Sequence, residues 1–177
     1  MKRVSSGVRS KAKGIVLLLL DVDGVLTDGR IIIDDRGVET KQFHVRDGQG
    51  IALLLHAGIQ VGIITSRSSQ SVSYRAKELG ISPVRQGVHN KLSAYNEIKR
   101  RQSLKDSQIA YIGDDVADLP ILRQVGLGVS VADGWPGLRR AVNYVTKAKG
   151  GHGAVRELAE LLLKAQGKWL AALAHLD

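Results

Sequence analysis

Acidic residues follow two apolar runs of this sequence, at points where buried strands would end. Asp21-Val22-Asp23-Gly24 comes directly after residues 15–20, and Gly113-Asp114-Asp115 comes directly after residues 109–112. Carboxylates that meet at one point repel each other and raise each other's pKa unless a cation joins them. Magnesium suits such a group, because it takes oxygen ligands from one or two carboxylates, waters and phosphate. The pattern therefore indicates magnesium-dependent phosphoryl transfer.

Three of these carboxylates have distinct predicted roles. Asp21 is the candidate nucleophile, which would form an aspartyl-phosphate intermediate. Asp23 lies two residues further along an extended segment, so it points the same way and can act as general acid and then as general base. Asp114 completes the metal site.

A hydroxyl pair and a lysine supply what a phosphate group needs. Thr65 and Ser66 follow the apolar run 61–64, and Lys91 opens a predicted helix. We expect these three residues to hold phosphate oxygens, with Lys91 offsetting negative charge in the transition state. Asp115 and Asp118 are expected behind them, where they would fix a metal-bound water or Lys91.

Apolar runs that alternate with helical segments predict the scaffold. Strands are predicted at 15–20, 61–64, 109–112 and 127–131, with a short one at 83–86. Helices are predicted from an Asp47 cap to Gly58, over 69–79, from an Asn90 cap through Ile98, over 120–124, and over 154–165. This order favours an α/β fold, a Rossmann-like and mostly parallel sheet with helices on both faces. In such sheets the ligand lies beyond the carboxyl ends of the strands, where the motifs fall.

Residues 30–44 interrupt the alternation and read as a β-hairpin inserted after the first strand. The chain is too short for a large cap domain, so a capless fold is expected. We predict three regions: a basic, poorly ordered leader over residues 1–13, a single domain over 14–168, and a tail over 169–177.

The charge balance restricts the partners. The 177 residues carry a formal net charge of +9 and include no cysteine, which excludes disulfides and thiolate metal sites. Such a charge favours anionic partners. Nucleic acid is the weaker choice, because no aromatic residues interleave with the basic leader. The apolar run 15–20 is too short for a signal peptide, and we expect neither a membrane nor a nucleic-acid partner.

Four segments together resemble the haloacid dehalogenase superfamily of phosphatases. Residues 21–29 match the form DxDGVLTDG of its first motif, Thr65 matches the second, Lys91 the third, and Gly113–Asp118 the fourth. Further segments are similar to one family within it, the 3-deoxy-D-manno-octulosonate 8-phosphate phosphatases. These segments are residues 27–29, 43–48, 86–91 and 150–157.

The resemblance implies several properties. It implies a magnesium-dependent, capless, cytoplasmic homotetramer of a Gram-negative bacterium that makes a lipopolysaccharide precursor. The hairpin of one subunit would help to roof the active site of the next. The backbone carbonyl of Asp23 would be a metal ligand, beside the side chains of Asp21 and Asp114.

Two positions depart from that family's pattern. Ser66 stands where glycine usually follows the second motif, and His152 stands where the tail loop usually has arginine. Histidine cannot make the bidentate fork of arginine to a carboxylate. For the sugar end of the substrate we therefore expect Arg46 and Arg67, with His152 as a third candidate, whereas His44 and His56 are interpreted as structural.

Two alternative functions stay open at this point. The same mechanism could act on a nine-carbon, sialic-acid-type 9-phosphate. The domain could also be a non-catalytic oligomerisation or regulatory module, although Asp21, Asp23, Lys91 and Asp114 are all present.

Overall fold

Four consecutive buried leucines form a central strand of the sheet. The computed structural model describes residues 4–174. Its strands are β1 (Leu17–Leu20), β2 (Ile32–Ile33), β3 (Glu39–Thr40), β4 (Gln60–Ile64), β5 (Val84–Arg85), β6 (Ile109–Gly113), β7 (Leu127–Ser130) and β8 (Tyr144–Val145). Its helices are α1 (Ser6–Lys13), α2 (Val45–His56), α3 (Gln70–Leu79), α4 (Lys91–Arg101), α5 (Leu119–Leu122), α6 (Ala154–Ala165) and α7 (Trp169–Ala174). Short 3-10 turns cover Asp106–Gln108, Val116–Asp118 and Pro136–Arg140.

The main sheet has six parallel strands in the order β5-β4-β1-β6-β7-β8. The predicted α/β fold with a parallel sheet is confirmed. β1 lies between β4 and β6, and Leu20 is in register with Ile63 on one side and Ile112 on the other. The residues that follow these three strands therefore emerge side by side. The edge strand β8 was missed, because two residues carry too little periodicity to be recognised.

Side chains of β1 alternate between two apolar layers, as expected for a strand buried on both faces. Leu18 and Leu20 pack into a large core with residues of α1, α2 and α6. Leu17 and Leu19 pack on the opposite face with residues of α4 and α5. Helices therefore cover both faces of the sheet, as predicted.

Helix ends agree with the sequence at some positions and not at others. The Asn90 side chain accepts from Ser93 N–H at 3.0 Å and caps α4, and Gly80 ends α3 in the left-handed conformation. The predicted Asp47 cap of α2 is wrong, because the cap residue is His44. Asp47 is buried within α2 and accepts instead from the N–H groups of Gly153 (3.1 Å) and Arg156 (2.8 Å). It thus caps α6, a helix about 100 residues further along the chain.

The basic leader is partly a packed helix. We expected residues 1–13 to be poorly ordered, and this is wrong for α1, which Ser5 caps and which buries Val8 and Ala12 in the large core. Its lysines and arginine lie on the exposed side, which is why charge alone was misleading. Residues 1–3 lie outside the described part. Helix α7 falls within the predicted tail and buries Ala172 against the same core.

The segment between β1 and α2 contains the predicted hairpin, in which β2 and β3 pair antiparallel. No cap domain is present in the described residues. Several large apolar side chains of the hairpin are exposed: Ile31, Ile32, Ile33 and Val38. Within residues 4–174, no helix combines the length and the apolar character needed to cross a bilayer.

Candidate active site

The turn after β1 aims the carboxylate of Asp21 into the sheet edge. Asp21 Oδ1 accepts from Val22 N–H at 2.7 Å, and the backbone N–H of Asp21 donates to Ile112 O of β6 at 3.1 Å. The buried hydroxyl of Thr27 braces the turn, since it accepts from the N–H groups of Gly24 (3.4 Å) and Gly29 (3.2 Å). These bonds fix the backbone of the turn, and Asp21 Oδ2 remains available for contacts with other side chains.

Asp114 approaches this turn closely, and a glycine makes room for it. Gly24 has a φ of +86°, and a Cβ at this position would lie 2.1 Å from Asp114 Oδ2. Any side chain at residue 24 would therefore displace the Asp114 carboxylate. Gly24, in the first motif, thus leaves the space that the Asp114 carboxylate, in the fourth motif, occupies.

A buried lysine joins two carboxylates of the site. Lys91, the first residue of α4, donates from Nζ to Asp21 Oδ2 at 2.6 Å and to Asp118 Oδ1 at 2.7 Å. Asp118 is fully buried and also accepts from Tyr111 Oη–H at 2.6 Å. Its Oδ2 accepts from the backbone N–H groups of Asp114 (2.9 Å) and Asp115 (3.2 Å). Asp118 thus holds both Lys91 and the loop that carries Asp114.

The electrostatics of the site favour a divalent cation. Burial, together with the negative charge of Asp118, raises the pKa of Asp21 to about 6, although Lys91 opposes the shift. Burial, together with the charges of Asp21 and Asp118, raises the pKa of Asp114 to about 8. Burial alone would lower the pKa of Lys91, but Asp21 and Asp118 outweigh it and the pKa is raised. One lysine therefore does not neutralise the three carboxylates, and a further cation would relieve their repulsion.

The side chains of Asp21 and Asp114 fit such a cation. One carboxylate oxygen from each of Asp21, Asp114 and Asp118 lies within 4.8 Å of the others. The oxygens of Asp118 are already engaged by Lys91, Tyr111 and the backbone. By contrast, no hydrogen bond to the Asp114 carboxylate is found among residues 4–174. Asp21 and Asp114 are thus the side chains that could ligate a metal, whereas Asp118 supports them.

The side chain of Asp23 faces the hairpin. Its Oδ1 accepts from Lys41 Nζ, and its Oδ2 lies 4.0 Å from Arg67 Nε. Glu39 of β3 contacts both cations, since Lys41 Nζ lies 3.0 Å from Glu39 Oε1 and Arg67 donates to Glu39 Oε2. Arg67, a predicted substrate residue, therefore lies beside Asp23, where it is paired with acids of the protein.

The predicted phosphate ligands sit at the end of β4. Thr65 is buried and follows directly on β4, the strand next to β1, and its backbone N–H donates to Arg85 O of β5 at 2.9 Å. Ser66 follows it and is exposed. This places both residues on the same sheet edge as Asp21.

The side chains of the remaining candidates have other partners. Arg46 and His152 line an open groove together with residues of α1 and α6, and His152 Nδ1 contacts Gly150 O at 2.7 Å. The side chain of Asp115 accepts from Val116 N–H at 2.7 Å and caps the turn that leads to Asp118. His44 caps α2, and His56 lies on the last turn of that helix. Both had been interpreted as structural.

Lys41 and Tyr111 were missed by the sequence reasoning. A lysine on a short hairpin strand is normally solvated, and a tyrosine in an apolar strand is normally core. The position of Tyr111 could have indicated its role, because it lies two residues before Gly113 in a strand that acidic residues follow. No local signal distinguishes Lys41.

Comparison with known proteins decides the family. A sequence model of haloacid dehalogenase-like hydrolases matches residues 84–158. The 3-deoxy-D-manno-octulosonate 8-phosphate phosphatase KdsC of Escherichia coli K12 is 48% identical over 165 residues, which cover 93% of this chain and 88% of that protein. The chain belongs to the KdsC family of the haloacid dehalogenase superfamily.

Solved structures of KdsC relatives share the fold. The phosphatase of Moraxella catarrhalis, in complex with a magnesium ion, a phosphate ion and KDO, has a TM-score of 0.93 at 46% identity, and the match covers 96% of this chain and 98% of that one. The cobalt-bound form of the Haemophilus influenzae phosphatase has a TM-score of 0.89 at 39% identity, with 94% and 99% coverage. Both relatives hold a divalent metal ion, in agreement with the carboxylate cluster described above.

The close approach of Gly24 to Asp114 can be tested with a matched pair of variants. Gly24→Ala should weaken the binding of a divalent cation at least about tenfold, because its Cβ displaces the Asp114 carboxylate. Gly37→Ala is the control, since Gly37 has a φ of +78° but no atom within 4 Å of a Cβ. Calorimetric titration with magnesium measures both. Equal affinities in the two variants would contradict the assigned position of Asp114.

Proposed function

We propose that this chain hydrolyses 3-deoxy-D-manno-octulosonate 8-phosphate to the free sugar acid and phosphate, using magnesium. The observation that supports it most is the joint placement of Asp21, Lys91 and Asp114, whose motifs are far apart in the sequence. KdsC relatives at 48% identity carry this activity in their names, and the Moraxella structure is described with KDO, phosphate and magnesium.

Asp21 performs the chemical attack. Its Oδ bonds to phosphorus while the bond from phosphorus to the sugar oxygen breaks, which gives an acyl phosphate on Asp21. Lys91 already contacts Asp21 Oδ2 and stays protonated, so its charge is available to the phosphoryl oxygens as well. Magnesium, held by the side chains of Asp21 and Asp114 and by the backbone carbonyl of Asp23, would neutralise phosphoryl charge.

Asp23 moves the proton. It donates a proton to the leaving sugar oxygen in the first step. In the second step it takes a proton from the water that attacks the acyl phosphate, which restores both acids. Thr65 and Ser66, at the end of the neighbouring strand, hold phosphoryl oxygens.

The sugar acid carries a carboxylate, which we expect to form an ion pair with a cationic side chain. Arg67 is the best-placed arginine, because it already lies beside Asp23 and is half exposed. Arg46 and His152 line a groove with residues of α1 and α6, and no hydrogen bond among residues 4–174 joins either of them to Asp21, Asp23 or Asp114. We therefore assign the substrate contact within one subunit to Arg67.

A panel of phosphate esters tests this function. Purified protein with magnesium should give its highest kcat/KM on the eight-carbon ester, ahead of a nine-carbon sialic-acid-type 9-phosphate. Asp21→Asn should lower turnover at least about 10³-fold with little loss of stability, because it removes the nucleophile but keeps an oxygen. Phosphate release by Asp21→Asn at the wild-type rate would exclude Asp21 from its role. A higher kcat/KM on the nine-carbon ester would reassign the substrate.

Magnesium affinity should depend on pH in a defined direction. Metal binding must displace protons from Asp114 and Asp21, whose pKa values are raised to about 8 and about 6. The apparent dissociation constant should therefore fall as pH rises from 6 to 8, by up to about tenfold per pH unit, and level off above that range. Calorimetry across this range measures it. Asp115→Asn, which keeps an oxygen that can cap the turn, should show the same dependence of magnesium affinity on pH. A wild-type affinity that does not change with pH would contradict the raised pKa values of Asp114 and Asp21.

The assembly that we propose is a cytoplasmic homotetramer. The exposed hairpin residues Ile31, Ile32, Ile33 and Val38 form an apolar surface that a further subunit would cover, next to the Asp23 site. Light scattering should give four times the chain mass of 19.1 kDa. Ile33→Glu should shift the mass downward, whereas Leu170→Glu, on α7, should not. A wild-type monomer would remove this part of the proposal and leave the chemistry intact.

A further inference from the structure

Lys41 is a buried cation on an otherwise exposed hairpin. Its side chain is only 2% exposed, although its neighbours Thr40 and Gln42 are exposed. Lysine is almost never fully buried unless it is paired, because removing an ammonium group from water is costly. The contacts that compensate for this cost therefore show where the lysine acts.

Those contacts lead to Asp23. Lys41 Nζ donates to Asp23 Oδ1 and lies 3.0 Å from Glu39 Oε1. Among the described residues, no other hydrogen bond reaches the Asp23 carboxylate. Arg67 Nε is further away, at 4.0 Å, and its side chain is 48% exposed. Lys41 thus determines which way Asp23 points, and Glu39 forms an ion pair with the same ammonium group.

Orientation matters for this carboxylate more than for a structural one. Asp23 must serve two oxygens in turn, that of the leaving sugar and that of the attacking water. A carboxylate that rotates freely spends only part of its time in reach of either oxygen, and small misplacements of catalytic groups lower rates strongly. An ammonium group bonded to one of its oxygens leaves the other oxygen for proton transfer.

We propose that Lys41 is a positioning residue, which holds Asp23 in the orientation from which it transfers protons. This inference rests on the proposed function, because it acts through the proton transfer of Asp23. Lys41 acts through its hydrogen bond to Asp23 and takes no part in the proton transfer itself. The proton leaves Asp23 when the sugar oxygen departs and returns from the hydrolytic water. The hairpin thereby completes the active site of its own subunit.

Lys41→Met, which keeps an unbranched side chain of similar length but removes its charge, tests the proposal. With the eight-carbon ester, kcat should fall about 10- to 100-fold, which is part of what general acid–base catalysis supplies, while KM changes less than about threefold. Lys41→Arg should recover most of the loss. Lys77→Met, an exposed lysine on α3, is the matched control and should behave as wild type.

A double-mutant cycle separates positioning from simple anchoring. In an Asp23→Asn background, adding Lys41→Met should cost less than about threefold in kcat, because the group that it orients is already lost. Equal losses in both backgrounds would overturn the proposal, and so would a wild-type kcat in Lys41→Met. A Lys41→Met protein that loses its assembly or unfolds more than about 10 °C earlier would also overturn it, as evidence of anchoring alone. If wild type releases no phosphate from any ester, the proposed function fails together with this inference.

Discussion

The ammonium group of Lys91 is the interaction on which the site depends. It joins Asp21 to Asp118 in a buried position, and it reaches them from the first residue of α4. Without this cation, two buried carboxylates would face each other at the end of β1 and β6, and the cost of their charges would be uncompensated. With it, one oxygen of Asp21 is fixed while a third carboxylate, that of Asp114, stays open toward a metal.

The sheet makes this arrangement possible through its strand order. Because β1 lies between β4 and β6, the ends of three strands deliver Asp21, Thr65 and Asp114 to one edge. Small residues then allow a close approach, as Gly24 does for Asp114. The hairpin adds a cation from a different direction. The site is therefore built from rigid strand ends on one side and from an inserted segment on the other.

Local signals were sufficient for much of the fold and for the site's principal acids. Helix α6 was predicted with its observed bounds, because its apolar periodicity is strong and glycine follows it. Asn90 and Lys91 were recognised from a cap followed by an apolar period. The role of Asp47 could not be predicted, since its partners lie on another helix. The burial of α1 and of Lys41 likewise depends on which elements fold against them, and residue type alone indicated solvent.

The cap that Asp47 provides to α6 has a consequence for how this chain can change. Since the helix end receives its acceptor from α2, the preceding loop needs no serine, threonine or aspartate of its own. Position 153, the cap residue of α6, can thereby be a glycine, which has a φ of +99° and no side chain to act as an acceptor. Substitutions of the loop's own side chains therefore leave this cap in place, whereas a substitution of Asp47 on α2 removes it.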